Sequence, residues 1–428
     1  MCRTTTNADD DAPPGASSGN EEPSPPPSSP IIRNYEPIDF GTLGLEWKHD
    51  DNESEDPRAV AMAAECRRRL TMATRNCIET IRARKASERG GTDERGGTLG
   101  LILSGGVDTC AILEAATSLG IVFDAAITVV IGETSPDELY SKYAAWKHGL
   151  ADRHVVVKMS PEDLLDVHLP RTIETLAVWD GMTVRNSLVI SAAFREARAR
   201  GLTDVLVGDG ADELFGGYSF TWGHADDPVG WKAKRDEMCR NWTFATDDLA
   251  ASYGLVAHAP YEDRAAMVDW ALSETQRADC IADDRCQIQL VLGRDYGVHT
   301  TGKVLLREAF RTGSSWRRKD PIEMGSGATV IGHDDYWTDH HGITDAEFEE
   351  ERKRWREVEG VVLQSKEYLV NIRIYSKVFG GLVHPARKRN PGGENSCDGC
   401  GFELDRPGQM FCYMCGAYPA RKPAPAEG

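Results

Sequence analysis

Short apolar, β-branched runs alternate along this chain with stretches of helical spacing, and that alternation limits the fold more than any other feature. Leu99 to Leu103 (LGLIL), Ile121 to Ile131, Val155 to Val157 and Val205 to Val207 read as buried strands. Between them lie a helical segment ending near Gly120 and another over Asn186 to Ala199, stopped by Gly201. Strands separated by helices call for crossover connections, so an α/β fold with a doubly wound parallel sheet is expected. A long amphipathic helix precedes the first strand. From Asp56 to Ser87, Met62, Cys66, Leu70, Met72, Cys77, Ile78 and Ile81 recur at helical intervals, and a polar connector from Glu88 to Gly97 then leads to LGLIL. After Tyr218 the pattern is mainly helical and irregular through about Gly381. Within it Trp316 to Thr329 reads as a basic, Gly-rich loop.

Composition narrows the function classes. The 428 residues carry 49 Lys+Arg against 68 Asp+Glu, a formal net charge of −19, which disfavours a nucleic-acid partner. The first 57 residues hold 13 acids against three bases, and the first 30 hold seven prolines and five serines. Residues 1–55 are therefore expected to be a disordered acidic tail. It takes about half of the net charge, leaving a mildly acidic body over residues 56–385. No apolar run approaches the roughly 20 residues of a membrane helix, so no membrane partner is expected. The start, MCRTTTNADDDAPP, lacks the basic and apolar parts of a signal peptide. A reducing, cytoplasmic location follows, with the 11 cysteines as thiols or metal ligands and the Asn241-Trp242-Thr243 sequon idle.

Two loops carry the chemistry. At Ser104-Gly105-Gly106-Val107-Asp108-Thr109 a strand ends in small residues and a helix begins, which aims backbone N–H groups and the positive helix end at one point, a nest for phosphate. GxxxxGK[ST] is absent, so this is not a Walker A loop. The second loop, Val207-Gly208-Asp209-Gly210-Ala211-Asp212-Glu213-Leu214-Phe215-Gly216-Gly217-Tyr218, packs three carboxylates among four glycines. Such acids repel unless a cation joins them. If both loops meet at one sheet edge, Asp108 and Asp212 can share Mg²⁺ with nucleotide phosphates.

SGGVDT together with GDGADELFGGY resembles the synthetase domain of the asparagine synthetase family, of the PP-loop ATP pyrophosphatase (adenine nucleotide alpha hydrolase-like) fold, which also serves β-lactam and carbapenam synthetases. Further stretches agree: Ile131 to Asp137 (IGETSPD), Thr183 to Ser187 (TVRNS), Lys303 to Arg307 (KVLLR), Arg318 to Pro321 (RKDP) and the segment from Lys366 to Gly380. The resemblance covers roughly residues 56 to 385. It implies ATP-dependent activation of a small carboxylate, aspartate or a relative, as an acyl-adenylate with release of pyrophosphate, followed by attack of ammonia or an amine. It also implies that Leu103, Ser104, Gly105, Gly106, Asp108, Thr109, Ile131, Val207 and Gly208 bind ATP. Asp108 and Asp212 would hold Mg²⁺, Asp209 would take the place of the acid needed for adenylate formation, and Lys319 would neutralise developing charge.

Departures from the pattern redirect the substrate reading. Cys2 stands where the family's glutaminase nucleophile would be, but Arg3-Thr4 and the acidic tail follow it with no strands to build that domain. Ammonia is then expected from solution or from a separate glutaminase. In the segment Asp248 to Asp263, Val256 replaces the family's glutamate and His258 its arginine. His258 reads either as a replacement base or as a structural side chain. An ATP- or partner-binding pseudo-enzyme is the alternative these replacements suggest, and a PP-loop tRNA-modifying enzyme is the other.

A third unit, residues 386–428, pairs Cys397-Asp398-Gly399-Cys400 with Cys412-Tyr413-Met414-Cys415, each pair followed by glycine. Two such knuckles in a segment too short for a core of its own predict a small zinc ribbon with structural Zn²⁺ on Cys397, Cys400, Cys412 and Cys415, docking a protein partner or the body. His333, Asp334, Asp335, His340 and His341 read as a polar loop. Cys66, Cys77, Cys110, Cys239, Cys280 and Cys286 read as buried or partly exposed thiols.

Overall fold

The computed structural model of the chain describes residues 47–88, 98–223, 227–289, 294–311, 314–406 and 408–421. Cys2 and most of the acidic tail lie outside them. Five strands, β1 (Leu99–Ile102), β2 (Ala125–Ile131), β3 (His154–Met159), β4 (Asp204–Leu206) and β5 (Val256–His258), form one sheet in the order β3-β2-β1-β4-β5. Every pairing is parallel. Order reverses on either side of β1, so the sheet is doubly wound as expected, and its switch point lies between β1 and β4.

All seven residues of β2 are buried, as a parallel strand covered on both faces requires. Alternate residues feed the two faces. Ile127, Val129, Val205 and Val207 join one apolar core, whereas Leu101, Leu103, Ala126 and Leu206 join the other. The second core is closed by α2 (Pro57–Glu88), following α1 (Trp47–Asp51), and by α3 (Val107–Ser118). The first is closed by α5 (Pro161–Leu176) and α6 (Gly181–Ala199), which follow α4 (Pro136–Lys147), and by the helix Lys366–Phe379.

Several expectations need correction. The described part of the stretch assigned to the tail is structured: α1 is helical, and Asn52, 3% exposed, donates Nδ2 to the carbonyl of Cys286 at 3.0 Å and accepts from its N–H at 2.8 Å. The region after Tyr218 also contains β5 and an antiparallel hairpin of β6 (Ala282–Gln289) and β7 (Arg294–Thr301). The loop from Trp316 to Thr329 encloses a short helix, Ile322–Ser326. Residues Asp334–His341 are a helix, not a loop, held down by buried Tyr336 and Trp337.

Candidate active site

The first loop leaves β1 through a turn that only glycine can make. Gly105 has φ +73°, and a Cβ there would lie 2.4 Å from the backbone nitrogen of Ser141 in α4. No side chain caps the start of α3 at Gly106, and its first residues, Val107, Asp108 and Thr109, line a cleft. The second loop leaves β4 beside it. A Cβ on Gly208 would touch Asp108 Cβ at 3.1 Å and Thr109 Cγ2 at 3.2 Å, which is where the loops meet. Gly210 (φ +90°) then turns the chain into α7 (Ala211–Phe215).

Lys303 joins the loops. It is 1% exposed, and its Nζ lies 2.6 Å from Asp108 Oδ2 and 2.7 Å from Asp212 Oδ1. Gly217 makes room for this contact, since a Cβ there would fall 1.8 Å from Asp212 Oδ1 and 2.3 Å from Lys303 Cε. Lys319 Nζ reaches Asp212 Oδ2 at 3.0 Å. Burial would raise the Asp212 carboxyl, but the two ammonium groups hold it below the usual carboxylate range. Burial likewise opposes the charge on Lys319, yet Asp212 and Asp108 raise it. Arg317 anchors the basic loop, donating to Ser104 O at 2.9 Å and pairing with buried Asp137 at 2.6 Å. Arg318 pairs instead with Asp320.

These groups line a cleft with about 1120 Å³ of empty space counted out to open solvent. Its walls include Leu103, Ser104, Gly106, Asp108, Thr109, Val207, Gly208, Asp209, Asp212 and Lys319, with an apolar side from Val129, Val189, Ile190 and Phe194. Two expected nucleotide contacts do not line it. Gly105 is turned against α4, and Ile131 lies buried with its carbonyl under Gly327, where a Cβ would be 2.5 Å away. Reasoning from sequence gave Arg317 no role beyond its basic loop, and treated Asp137 and Lys303 only as parts of a resemblance. Burial pushes the Asp209 carboxyl up to about 7. Glu213, Asp247 and Asp212 add repulsion, and a hydrogen bond with Thr246 works the other way.

The replaced residues of the acceptor segment stand apart from the cleft lining. Val256 is 39% exposed on the edge strand β5. His258 Nε2 lies 2.8 Å from Asp204 Oδ1, in a cluster that also places Arg84 and Lys85 on the same fully buried carboxylate at 2.5 and 2.8 Å. Burial works against that charge, but hydrogen bonds from His258, Lys85 and Arg84 hold Asp204 below the ordinary carboxylate range. Of the two readings of His258, the geometry carries the structural one. Downstream, burial and then Asp209, Asp247 and Glu213 push Glu262 up to about 7.

The four cysteines of the C-terminal unit are buried and converge, with all four Sγ atoms within 4.8 Å of one another. Cys397 and Cys415 are 3.8 Å apart and Cys400 and Cys412 3.7 Å. A tetrahedron with metal–sulfur bonds of about 2.3 Å has edges of about 3.8 Å, so the cluster is compatible with a zinc site. The knuckles are alike: Gly401 and Gly416, both at positive φ, donate N–H to the carbonyls of Cys397 and Cys412, each at 2.8 Å. Among the described residues no other group of His, Cys, Asp and Glu gathers in this way. No described helix is long and apolar enough to cross a membrane.

Comparison with known proteins falls on the same loops. A probable glutamine-hydrolyzing asparagine synthetase of Dictyostelium discoideum is 26% identical over 180 residues, covering 38% of this chain and 29% of that relative. The match thus spans less than a third of the relative's length. A family model described as asparagine synthase matches residues 95–287, a stretch that holds all five strands of the parallel sheet and both loops of the cleft, while Lys303, Lys319 and the four cysteines lie beyond it.

Proposed function

We propose that the chain is an ATP-dependent amidoligase, activating a small carboxylate, aspartate or a relative, as an acyl-adenylate and passing the acyl group to ammonia or an amine. The asparagine synthase domain supports an amidoligase-like role. The observation that carries the finer reading is the convergence of Asp108, Asp212, Lys303 and Lys319 at the switch point of the sheet. In this reading the apolar side of the cleft takes the purine, and the uncapped start of α3 takes phosphate. A carboxylate oxygen attacks the α-phosphorus as the bond to pyrophosphate breaks, and Lys319 and Lys303 balance the charge that leaves. The amine then attacks the acyl carbon, AMP departs, and Asp209, titrating near 7, receives the proton.

Asp108 Oδ1 is buried with no hydrogen-bond partner, which fits a ligand for a hard cation. Asp108 and Asp212 would hold Mg²⁺, which supplies charge stabilisation at the phosphates when bound. Cys397, Cys400, Cys412 and Cys415 would hold one structural Zn²⁺, in keeping with a cytoplasmic protein whose described cysteines are all free. Ammonia comes from solution or a separate glutaminase.

ATP–pyrophosphate exchange with a panel of small carboxylates tests this. The expected outcome is exchange that requires one of the acids and falls about a hundredfold in Asp108→Asn. Exchange retained in that variant removes Asp108 from the site. Exchange that needs tRNA makes the chain a nucleotide-modifying enzyme, and none with any acid leaves only a binding role.

A further inference from the structure

Met414 lies between Cys412 and Cys415, and its carbonyl accepts from the N–H groups of Trp179 at 2.9 Å and Asp180 at 3.1 Å. These two residues lead into α6. Asp180 is buried and is the N-cap of that helix, its Oδ2 accepting from Thr183 N at 2.8 Å. Its Oδ1 accepts from the Tyr368 hydroxyl at 2.8 Å. Gly416 presses on both groups, because a Cβ there would fall 2.0 Å from Asp180 Oδ1 and 2.7 Å from the Tyr368 hydroxyl. Trp179, fully buried, packs edgewise on Phe402 of the ribbon with ring centres 5.8 Å apart.

Farther along, the same helix presents Val189, Ile190, Ala193 and Phe194 to the cleft. Its second turn also holds the chain after Lys319, since Asn186 Oδ1 accepts from Glu323 N at 3.1 Å. One rigid element therefore runs from the cysteine knuckles to the apolar wall, about 20 Å at 1.5 Å per residue. If the ribbon lets go, two buried N–H groups lose their acceptor and the cap loses its support, a cost that a shift of the helix end relieves.

We infer that the metal-bearing ribbon is a clasp that sets the position of α6, and through it the wall that receives the nucleotide base, with Asp180 and Gly416 as positioning residues. The inference rests on the zinc and nucleotide readings above. Metal occupancy at Cys397, Cys400, Cys412 and Cys415 then governs affinity at a cleft that the metal does not touch.

The test uses the full zinc-loaded chain and the variants Gly416→Ala, Tyr368→Phe, Asp180→Ala and Asp180→Asn, none of which alters a cysteine. Zinc per chain, amide hydrogen exchange over residues 184–194 and the Kd of a fluorescent ATP analogue are measured together. Expected are one zinc per chain throughout, and exchange of the α6 amides and nucleotide Kd both raised about tenfold in Gly416→Ala and Asp180→Ala. Asp180→Asn, whose amide oxygen keeps the cap while its NH₂ donates to the Tyr368 hydroxyl, should stay near the parent, with Tyr368→Phe between. Unchanged α6 exchange in zinc-loaded Gly416→Ala and Asp180→Ala overturns the clasp. Should Gly416→Ala fail to fold, Tyr368→Phe and the Asp180 pair decide. If the parent chain binds no nucleotide, the ligase reading fails while the exchange data still judge the clasp. If it holds no zinc, the clasp fails with the metal assignment.

Discussion

Replacing Lys303 with Met removes the ammonium that joins Asp108 to Asp212 while keeping most of the volume of its buried stem. The two carboxylate oxygens touch one nitrogen, at 2.6 and 2.7 Å. They are therefore no more than about 5 Å apart, and two unit charges at that spacing repel by about 3 kcal/mol at an effective dielectric constant of 20. Lys319 remains on Asp212 at 3.0 Å and offsets part of the repulsion, whereas the lost ion pairs add to it. The expected cost is about 3 kcal/mol of folding stability, read from urea unfolding of the parent and variant chains in chelator. Magnesium should then restore far more stability to Lys303→Met than it gives the parent, because in the variant a divalent cation meets an unpaired Asp108 and an Asp212 held by Lys319 alone. Adding Asp108→Asn to Lys303→Met should recover most of the loss without magnesium, since one of the repelling charges is gone. A variant as stable as the parent in chelator, or a magnesium effect equal in both, refutes the view that Lys303 neutralises this carboxylate pair.

Charged groups in the cleft and at the far edge of the sheet set further outcomes. With Asp209 raised from 3.8 to about 7, the folded chain keeps a proton there that the unfolded chain has released. Stability should fall as pH rises through that window, and Asp209→Asn should remove this part of the slope in urea midpoints measured across pH. The carboxylate form should also give amide formation from the acyl-adenylate an acid limb with its midpoint near 7; a flat profile there removes the proton role. His258→Ala should cost about 1–3 kcal/mol by leaving the Asp204 cluster one donor short, with kcat and KM unchanged. A rate loss above tenfold at unchanged stability would restore His258 as a base.

The sheet was legible because strands covered on both faces must be apolar throughout, as Ala125–Ile131 is. β5 was not, since it has three residues at an edge and Val256 faces outward, a pattern that loops share. The start of β6, with Asp283, Asp284 and Arg285, carries no apolar run at all. α4 and α5 carry start signals that the reading of apolar runs passed over: Ser135-Pro136 and Ser160-Pro161 are cap and first-turn pairs, and both serines accept from the N–H three residues on. In the cleft, acids held in glycine-rich turns had few places to go, so Asp108 and Asp212 could be named from the loops alone. The basic run could not be resolved in that way. Arg317, Arg318 and Lys319 are alike in sequence, but one is sealed against Asp137, one folds back on Asp320 and one reaches Asp212, and only the path of the loop between α4 and α7 distinguishes them. Asn52 is the extreme case, since its partner Cys286 is 234 residues away.

The cysteine unit reads from sequence as something appended, yet its sulfurs belong to the same apolar core as α5, α6 and the helix Lys366–Phe379. A segment of about 40 residues buries too little apolar surface to stand alone, so it must draw stability from a metal, from a neighbour, or from both. Here the neighbour is visible: Val362 N–H donates to Gly399 O at 2.8 Å, Gln364 Nε2 to Cys415 O at 3.3 Å, and Trp179 fills the space between Tyr375 and Phe402. Sharing a core has a thermodynamic consequence. Whatever free energy the metal contributes on binding the folded ribbon is passed to the body to the extent that the two unfold together, and the body in turn presents the cysteines already gathered, which raises the affinity of the site for its metal. A ribbon on a flexible tether could do neither, and for that reason the hydrogen bonds from Trp179 and Asp180 to Met414, rather than the four sulfurs themselves, are what connect this unit to the chemistry of the cleft.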